Sequence, residues 1–409
     1  MSRTVLQPEW LLDGTGASPQ EGHSVVLAGG MIEQIIPRAD AAGLAAEEVI
    51  DLPGMTLLPG LINHHVHLVL PGDNTPFVPW IDLQTDATLA LVAAHNIATS
   101  LKSGVTTVRD CGGRKRITLD LRDAWEAGLT GGARVVACGR TITITGGHTR
   151  HFGGEADGED GVRRMVRHVV SQGADYVKVM AAGGGTPGSI SQRPSFMARE
   201  LTVLTETAHA LGRTVTAHCI ATESISNAVA AGVDHIEHAS FMGTDLAPNF
   251  DRQIAEDLAA SGIPVTPTLQ VSRDLVDMLP AGPERDLWQA RQQAQHGIIG
   301  TLRELGVPLL AGSDAGWRAT PFDTFWKELD ELVACGLSPL EAIHAATGAA
   351  ADALGAGDRY GSIKPDRLAD LVAVDGNAAA DIKALASVRA VFQAGELVHA
   401  TLSTRRRNR

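Results

Sequence analysis

The stretch GVRRMVRHVVSQGADYVKVMA, residues 161–181, joins a helix pattern to a strand pattern. Its first half is apolar at helical spacing and predicts an amphipathic helix that Gly173 ends. Its second half, ADYVKVMA, is a short β-branched run that predicts a buried strand. The apolar helix positions are Val162, Met165, Val166, Val169 and Val170. The stretch therefore predicts one helix-then-strand unit of a larger α/β fold.

The same alternation continues from residue 60 to residue 350. Strands that alternate with helices need right-handed crossovers, which produce a parallel sheet. Eight units over this length predict an α/β fold of the (β/α)8 TIM barrel type. An open doubly wound sheet is the alternative, but it would carry a glycine-rich phosphate turn after its first strand. The eight strand candidates are GLINHHVH, GVTTVRD, ARVVACG, ADYVKVMA, RTVTAHC, GVDHIEHA, IPVTPT and GVPLLAGSD.

Both ends of the chain depart from this pattern. Residues 1–58 and 361–400 contain short alternating runs punctuated by Gly and Pro, as antiparallel strands do. We therefore predict a small β-sandwich domain built from residues 1–59 plus 361–409. The barrel domain is expected to span residues 60–360.

Composition narrows the classes of partner. Lys plus Arg total 34 and Asp plus Glu total 47, so the formal net charge is −13. This acidity disfavours nucleic acid and anionic membrane surfaces as partners. The sequence contains no signal-peptide core, no apolar run of membrane-spanning length and no CxxC pair among its four cysteines. We expect a cytoplasmic protein that acts on a small molecule, and assembly into a homo-oligomer stays open.

Three histidines end the first predicted barrel strand. Side chains alternate along a strand, so His65 and His67 share a face and His64 points away. Barrel active sites lie at the carboxyl ends of the strands. Taken alone, the pair is equally consistent with two buried, hydrogen-bonded histidines. His64 is expected to serve packing or to support a ligand from behind.

Polar residues in other predicted strands favour a metal site. An unpaired lysine is costly to bury inside an apolar strand such as DYVKVMA. A single strand-end histidine is more often a core residue, and a single aspartate can cap the next helix. Their coincidence at the strand ends of one barrel predicts a metal centre. The six residues are His65, His67, Lys178, His218, His238 and Asp314.

The motifs PGLINHHVHL, AHC, IEHA and GSDAG surround five of these residues, and Lys178 lies within its own strand. In this order they resemble the binuclear amidohydrolase superfamily, in the branch similar to imidazolonepropionase and Xaa-Pro dipeptidase. The resemblance implies two divalent metal ions. Zn2+ is the preferred identity, although these ligands leave manganese, cobalt and iron open. It implies one ion held by His65, His67 and Asp314, a second held by His218 and His238, and a CO2-derived carbamate on Lys178 that bridges both.

Substrate contacts are also implied by the resemblance. The GGH element implies that His148 contacts the substrate near the metals, the alternative being a turn histidine. Arg150, Trp317 and Arg318 are weaker candidates, since an arginine can bind a carboxylate in bidentate fashion. Dipeptidase relatives carry a tyrosine at the position of Ile220. This departure predicts a different environment for the substrate carbonyl.

We therefore predict a metal-dependent hydrolase that cleaves an amide bond of an N-acyl amino acid or dipeptide-like small molecule. A metal-bridging hydroxide would attack the carbonyl and Asp314 would carry the proton, so Asp314 and His148 are the catalytic candidates. The alternatives are a mononuclear deaminase or cyclic-amidine or imide hydrolase, an ester, lactone or carbamate hydrolase, and a scaffold without chemistry. Ala221 stands where deaminases carry a glutamate, which counts against deamination. Every ligand position is filled, which counts against the scaffold.

Overall fold

The structure is a computed structural model that describes residues 3–245 and 247–401. Strands and helices alternate through the middle of the chain, and strands dominate both ends. The strands are β1 (Arg3–Leu11), β2 (Gln20–Glu21), β3 (His23–Ala28), β4 (Met31–Pro37), β5 (Glu48–Pro59), β6 (Leu61–Val66), β7 (Val105–Asp110), β8 (Arg134–Ala137), β9 (Val177–Met180), β10 (Val215–Ala221), β11 (His235–Met242), β12 (Val265–Thr266), β13 (Leu371–Asp375), β14 (Val388–Gln393) and β15 (Glu396–Ala400).

The helices connect successive strands of the middle region and also follow its last segment. They are α1 (Arg38–Ala41), α2 (Phe77–Leu83), α3 (Asp86–Lys102), α4 (Ile117–Glu126), α5 (Gly158–Ser171), α6 (Ala198–Ala210), α7 (Thr222–Ala230), α8 (Arg252–Ser261), α9 (Gln270–Met278), α10 (Pro283–Glu304), α11 (Trp326–Ala334), α12 (Pro339–Ala345) and α13 (Gly348–Ala353), with 3-10 turns at Arg150–Phe152 and Ile382–Ala386. Over the residues that the structure describes, none of these helices is both long and apolar enough to cross a membrane.

The chain divides into two compact units. The first comprises residues 1–63, 98–108 and 323–409, and the second comprises residues 64–97 and 109–322. The first unit contains both terminal segments that the sequence assigns to one domain, and it takes in residues 60–63, 98–108 and 323–360 as well. Residues 402–409 of the predicted terminal segment lie outside the described residues.

The first unit is organised by one eight-stranded sheet. Its order is β15-β14-β13-β5-β1-β3-β4, and β2 pairs with β1. Strand β5 joins the two ends of the chain, because it runs parallel to β1 and antiparallel to β13. The sheet packs over a buried apolar core of Leu6, Leu11, Val25, Leu27, Ile32, Ile50, Leu52, Leu57, Ile363, Ala369, Leu371, Ala373, Ala390 and Phe392. Both termini thus build one sheet, and its closure into a sandwich stays a prediction.

The middle of the chain contains the parallel strands that the sequence predicts. β9 to β12 form a parallel sheet in the order β12-β11-β10-β9, and β6, β7 and β8 form a second sheet in that order. Strands β9 and β12 are buried along their whole length, as strands of a parallel sheet that is covered on both faces are. Backbone hydrogen bonds continue the series beyond the two sheets: Ile142 N–H donates to Lys178 O (2.8 Å), Leu310 N–H donates to Val265 O (2.9 Å) and Asp314 N–H donates to His65 O (2.9 Å).

The eighth predicted strand, GVPLLAGSD, differs from a regular strand. It makes single parallel bridges, from Leu309 to Val265 on one side and from Ala315 to Val66 on the other. Asp314 adopts φ +59°, in the left-handed region that interrupts an extended ladder. The segment therefore takes the position of a strand between β12 and β6 without a continuous ladder. The predicted helix in residues 161–173 is confirmed as α5, and Gly173 follows it with φ +94°.

Candidate metal centre

The six predicted ligands lie together in the second unit. His65 is in β6, Lys178 in β9, His218 in β10 and His238 in β11. His67 follows β6 directly, and Asp314 lies on the bridged segment beside it. Neighbouring parallel strands end at the same edge of a sheet, so residues distant in sequence meet there. All the histidines of this set are buried, and so is Lys178.

One group of ligand atoms has the spacing of a metal site. His65 Nε2 and His67 Nε2 each lie 3.4 Å from Asp314 Oδ1. These three atoms all fall within 4.8 Å of one another. Two imidazoles and a carboxylate are ligands suited to zinc and related divalent ions.

A second group of imidazoles adjoins the first. The ring centroids of His218 and His238 are 4.5 Å apart, and those of His238 and His65 are 5.1 Å apart. His238 adopts φ +70°, a backbone conformation that most residues avoid. The two groups therefore form one continuous cluster of nitrogen and oxygen ligands.

Hydrogen bonds on the far side of each ring set its tautomer. His67 Nδ1–H donates to Gly112 O (2.9 Å), and His218 Nε2–H donates to Gly183 O (3.1 Å). His65 Nδ1–H donates to a Glu237 oxygen (2.7 Å). His238 Nδ1–H donates to the Thr268 hydroxyl (2.7 Å), whose own proton goes to Pro267 O. Because each ring donates from one nitrogen, it offers a lone pair at the other, as metal-bound histidines do.

Electrostatics keep these rings neutral. Burial lowers the pKa of His67 to about 4, against a weaker opposing effect of its bond to Gly112. Burial, together with neighbouring cationic groups, holds the pKa of His65, His218 and His238 well below the ordinary value. Neutral imidazoles are the form that binds a metal ion.

Two buried polar atoms in the cluster lack partners. Lys178 Nζ and Asp314 Oδ1 have no hydrogen-bond partner among the described residues. Burial raises the pKa of Asp314 to about 7. A buried amine and a buried carboxyl oxygen without partners are costly in a stable core, and a metal site would satisfy both. The donor set therefore fits a divalent metal centre.

A cavity of about 350 Å3 opens onto this cluster. Its walls are mostly apolar and aromatic. Five of the six predicted ligands, all except His65, face the space in which a substrate would bind: His67, Lys178, His218, His238 and Asp314.

The chain also matches a known protein family over most of its length. A family model described as "Amidohydrolase family" matches residues 56–398. The chain belongs to the amidohydrolase family. It is a hydrolytic enzyme that acts on carbon–nitrogen bonds, and members of the family are metal-dependent.

Individual relatives agree with this assignment. The chain is 28% identical to the ochratoxinase of Aspergillus niger over 82% of this chain and 73% of that protein. It is 24% identical to the imidazolonepropionase of Chromobacterium violaceum over 87% of this chain and 86% of that protein. A crystal structure of a Xaa-Pro dipeptidase with bound methionine in the active site superposes with a TM-score of 0.86 at 29% identity, covering 98% of this chain and 100% of that chain. Such structural neighbours of an amidohydrolase imply a TIM-barrel fold.

Sequence reasoning missed Glu237, which contacts the predicted ligand His65. Its carboxylate accepts hydrogen bonds from His65 Nδ1 (2.7 Å), Arg109 (2.8 Å) and the Thr216 hydroxyl (2.7 Å). Burial opposes its charge, but Lys178, His65 and Arg109 hold the pKa of Glu237 well below its ordinary range. The available signal was a glutamate in the buried strand IEHA, beside a predicted ligand.

Arg109 completes this support. It is buried, pairs with Glu237 and lies 3.9 Å from the Tyr176 ring centroid. His65, Glu237 and Cys111 also have metal-site spacing. However, Glu237 is already bound to three donors, and burial raises the pKa of Cys111 to about 11, which keeps it a thiol. His65 is therefore better explained as a ligand through Nε2 than through this second group.

His148 lies in the same cavity. Its ring centroid is 4.8 Å from that of His218. His148 Nδ1 lies 2.8 Å from the Thr186 hydroxyl and accepts a hydrogen bond from Thr186 N–H (3.3 Å), which puts the proton of the neutral ring at Nε2. Burial lowers the pKa of His148 to about 3, which keeps the ring neutral. His148 can therefore donate one hydrogen bond from Nε2.

Glycines of the loop after β9 make room for the cavity walls. A Cβ on Gly184 would lie 2.6 Å from the His148 ring, and a Cβ on Gly185 would lie 2.3 Å from the Trp317 ring. The glycine-rich run that follows Lys178 thus permits two aromatic rings to pack directly on the backbone.

The remaining predicted substrate residues divide into two groups. Trp317, Arg318 and Ile220 line the cavity. Arg318 is already paired with Glu284 (3.1 Å) and with the Asn74 side-chain oxygen (2.9 Å). Arg150 donates to Pro187 O (3.0 Å) and is not among the described residues that line the cavity. His64 contacts His235, with 5.3 Å between the ring centroids.

Proposed function

We propose that the protein is a binuclear metal-dependent hydrolase that cleaves the amide bond of an N-acyl amino acid or dipeptide-like small molecule. One observation carries the proposal: His67, His218 and His238, all neutral, line one cavity together with Lys178 and Asp314, whose Nζ and Oδ1 have no hydrogen-bond partner among the described residues. His65 Nε2 adjoins them, 3.4 Å from Asp314 Oδ1. The ochratoxinase and Xaa-Pro dipeptidase names of similar proteins support an amide bond.

The ligands divide into two sets. His65, His67 and Asp314 would hold one ion, and His218 and His238 would hold the other. Lys178 in its neutral form would add to CO2, forming an N–C bond and releasing a proton, and the resulting carbamate would bridge the two ions. When bound, the metals supply an activated water nucleophile and polarise the substrate carbonyl. Zn2+ is the proposed identity.

Asp314 would move the proton. Its carboxyl lines the cavity, so one oxygen can bind the metal while the other accepts a proton from the attacking water. The same oxygen would then deliver that proton to the leaving amine, which departs as a neutral group. Burial raises the pKa of this carboxyl, which favours its taking up the proton.

His148 would orient the substrate. Its Nε2–H donates into a cavity from which water is displaced when the substrate binds, and a neutral donor there can stabilise negative charge that develops on the carbonyl oxygen. We further propose that the strands of the second unit close into the (β/α)8 barrel. The backbone links from β12 through residues 309–315 to β6 support that closure.

Lys178→Ala tests the function. Metal analysis of wild type is expected to find two ions per chain. The variant should bind fewer ions, because the bridging negative charge is lost. Wild type loaded with Zn2+ should cleave members of a pooled set of dipeptides, N-acyl amino acids, esters and cyclic imides, and the variant should cleave none. One reproducible metal ion per wild-type chain would contradict the binuclear centre. Cleavage confined to esters or imides would contradict the amide substrate.

A further inference from the structure

Helix α10 presents one face to the cavity. Trp288, Arg291, Ala294, Gln295 and Ile298 are cavity-lining residues, and their spacing of three and four places them on one side of a helix. Trp288 packs against a cluster formed by Val271 and Leu275 of α9 and by Leu279, which follows that helix, and this contact anchors the face. Gln295 is held by the Ser272 hydroxyl at 2.6 Å. The position of Arg291 is therefore defined by packed neighbours.

Arg291 is the charged residue of this face. Its guanidinium lies 4.9 Å from the Trp288 ring centroid. Its Nε is buried without a hydrogen-bond partner, and no acidic side chain pairs with Arg291 within residues 3–245 and 247–401. Burial lowers the pKa of Arg291 from its ordinary value, as expected of a cation without a counter-charge. The guanidinium is half-buried, and its buried Nε is unsatisfied.

The other arginines considered for this role differ from Arg291. Arg318 already has a carboxylate partner in Glu284, and Arg150 donates to a backbone carbonyl. Lys178 and Asp314, which also line the cavity, belong to the proposed metal centre. Arg291 thus offers one uncompensated positive charge on an apolar, aromatic wall.

We propose that Arg291 binds the carboxylate of the substrate and selects acyl-amino compounds that carry one. This inference rests on the proposed function and names the residue that determines its specificity. A single guanidinium matches a single negative charge, and its planar donors fit a carboxylate in bidentate geometry. Trp288 and Trp317 provide apolar contact for the substrate side chain beside that carboxylate.

Two probes that differ only in the carboxylate test the proposal. Racemic N-acetylphenylalanine contains it, and N-acetyl-2-phenylethylamine lacks it. Dissociation constants are measured by calorimetry on the Zn2+-loaded Asp314→Asn protein. This variant lacks the proposed proton carrier, so the probe is not cleaved during the measurement. The acid should bind more tightly than the neutral probe. Adding Arg291→Met should weaken binding of the acid by about 10- to 100-fold, as expected for loss of a hydrogen bond to a charged group.

Matched variants separate charge from packing. Arg291→Lys should retain part of the preference for the acid, because the charge remains. Arg285→Met removes an arginine from the same helix outside the cavity lining and should change binding of either probe by less than about 2-fold. Unchanged acid binding in Arg291→Met would overturn the proposal. So would equal weakening of both probes, or a parent protein that does not prefer the acid.

The binding experiment tests the role of Arg291, and the activity experiment tests the proposed amide hydrolysis, so either proposal can fail without the other. Carboxylate binding that depends on Arg291, in a protein without amide hydrolysis, would remove the proposed function and leave this inference in place. Amide hydrolysis with equal kcat/KM for the two probes in wild type and Arg291→Met would do the reverse.

Discussion

At the scale of single residues, the carboxyl of Asp314 gives the clearest pH dependence. Burial raises the pKa of Asp314 to about 7 in the absence of metal. Nearby cations favour the ionised form and lower that pKa, so the acid limb of kcat should lie below pH 7, with activity lost as pH falls. Asp314→Asn should reduce kcat by about 10²- to 10⁴-fold and remove the limb. A kcat that increases as pH falls would contradict the role of Asp314.

The same group affects stability of the metal-free protein. Its folded pKa is above its unfolded value, so the folded state binds this proton more tightly, and the contribution of Asp314 to stability increases as pH falls from about 7 towards 4. Metal-free Asp314→Asn should therefore unfold at a higher temperature than wild type at pH 8. The difference should shrink towards pH 4. Thermal melts across this range measure it.

Glu237 has a predictable effect on the metal centre. Glu237→Gln removes the negative charge that Arg109 and His65 share. Metal affinity should fall by about 10- to 100-fold, as for other groups that orient a ligand. Leaving Arg109 buried without a counter-charge should cost about 3–5 kcal/mol of unfolding free energy. Chelator competition and urea denaturation measure the two effects.

Thr216→Ala is the matched control for Glu237. It removes one neutral hydrogen bond to the same carboxylate and should cost about 1 kcal/mol. Metal affinity equal to wild type in Glu237→Gln would show that Glu237 does not orient His65.

At the scale of elements, the loop after β9 should be sensitive to a single methyl group. Gly185→Ala places a Cβ against the Trp317 ring, and relief of such a contact costs about 1–3 kcal/mol. We expect KM to increase because Trp317 moves within the cavity wall. Gly131→Ala is the control, since nothing lies within 4 Å of the added Cβ and φ is not positive there. Equal kinetics in both variants would show that the Trp317 position is unimportant.

The elements also show what periodicity can predict. Helix α5 and the buried strand β9 follow directly from spacing and β-branching. The bridged segment at residues 309–315 cannot be predicted in this way. Its irregularity comes from the left-handed conformation of Asp314, which the local sequence does not predict. Arg291 was missed for a similar reason: helix residues carry no strand-end signal, and only packing of α9 on α10 brings it to the cavity.

At the scale of the whole molecule, the sheet built by both termini contributes a buried apolar core that stabilises the first unit. Phe392 on β14 is buried in its core. Phe392→Ala should lower the free energy of unfolding by about 3–5 kcal/mol, measured by chemical denaturation. Metal content per folded chain should stay unchanged, since the proposed ligands lie in the other unit. Reduced metal content in the folded variant would contradict this separation.

The sequence by itself determined the α/β class, the identity of the candidate ligands and the family resemblance, because strand periodicity and strand-end positions are local properties of the chain. Only the tertiary structure decided which nitrogen of each histidine is free, that Glu237 and Arg109 support His65, and that Arg291 rather than Arg150 faces the cavity. These depend on contacts between residues far apart in the chain. Burial, pKa and hydrogen-bond partners arise only when folding brings such residues together.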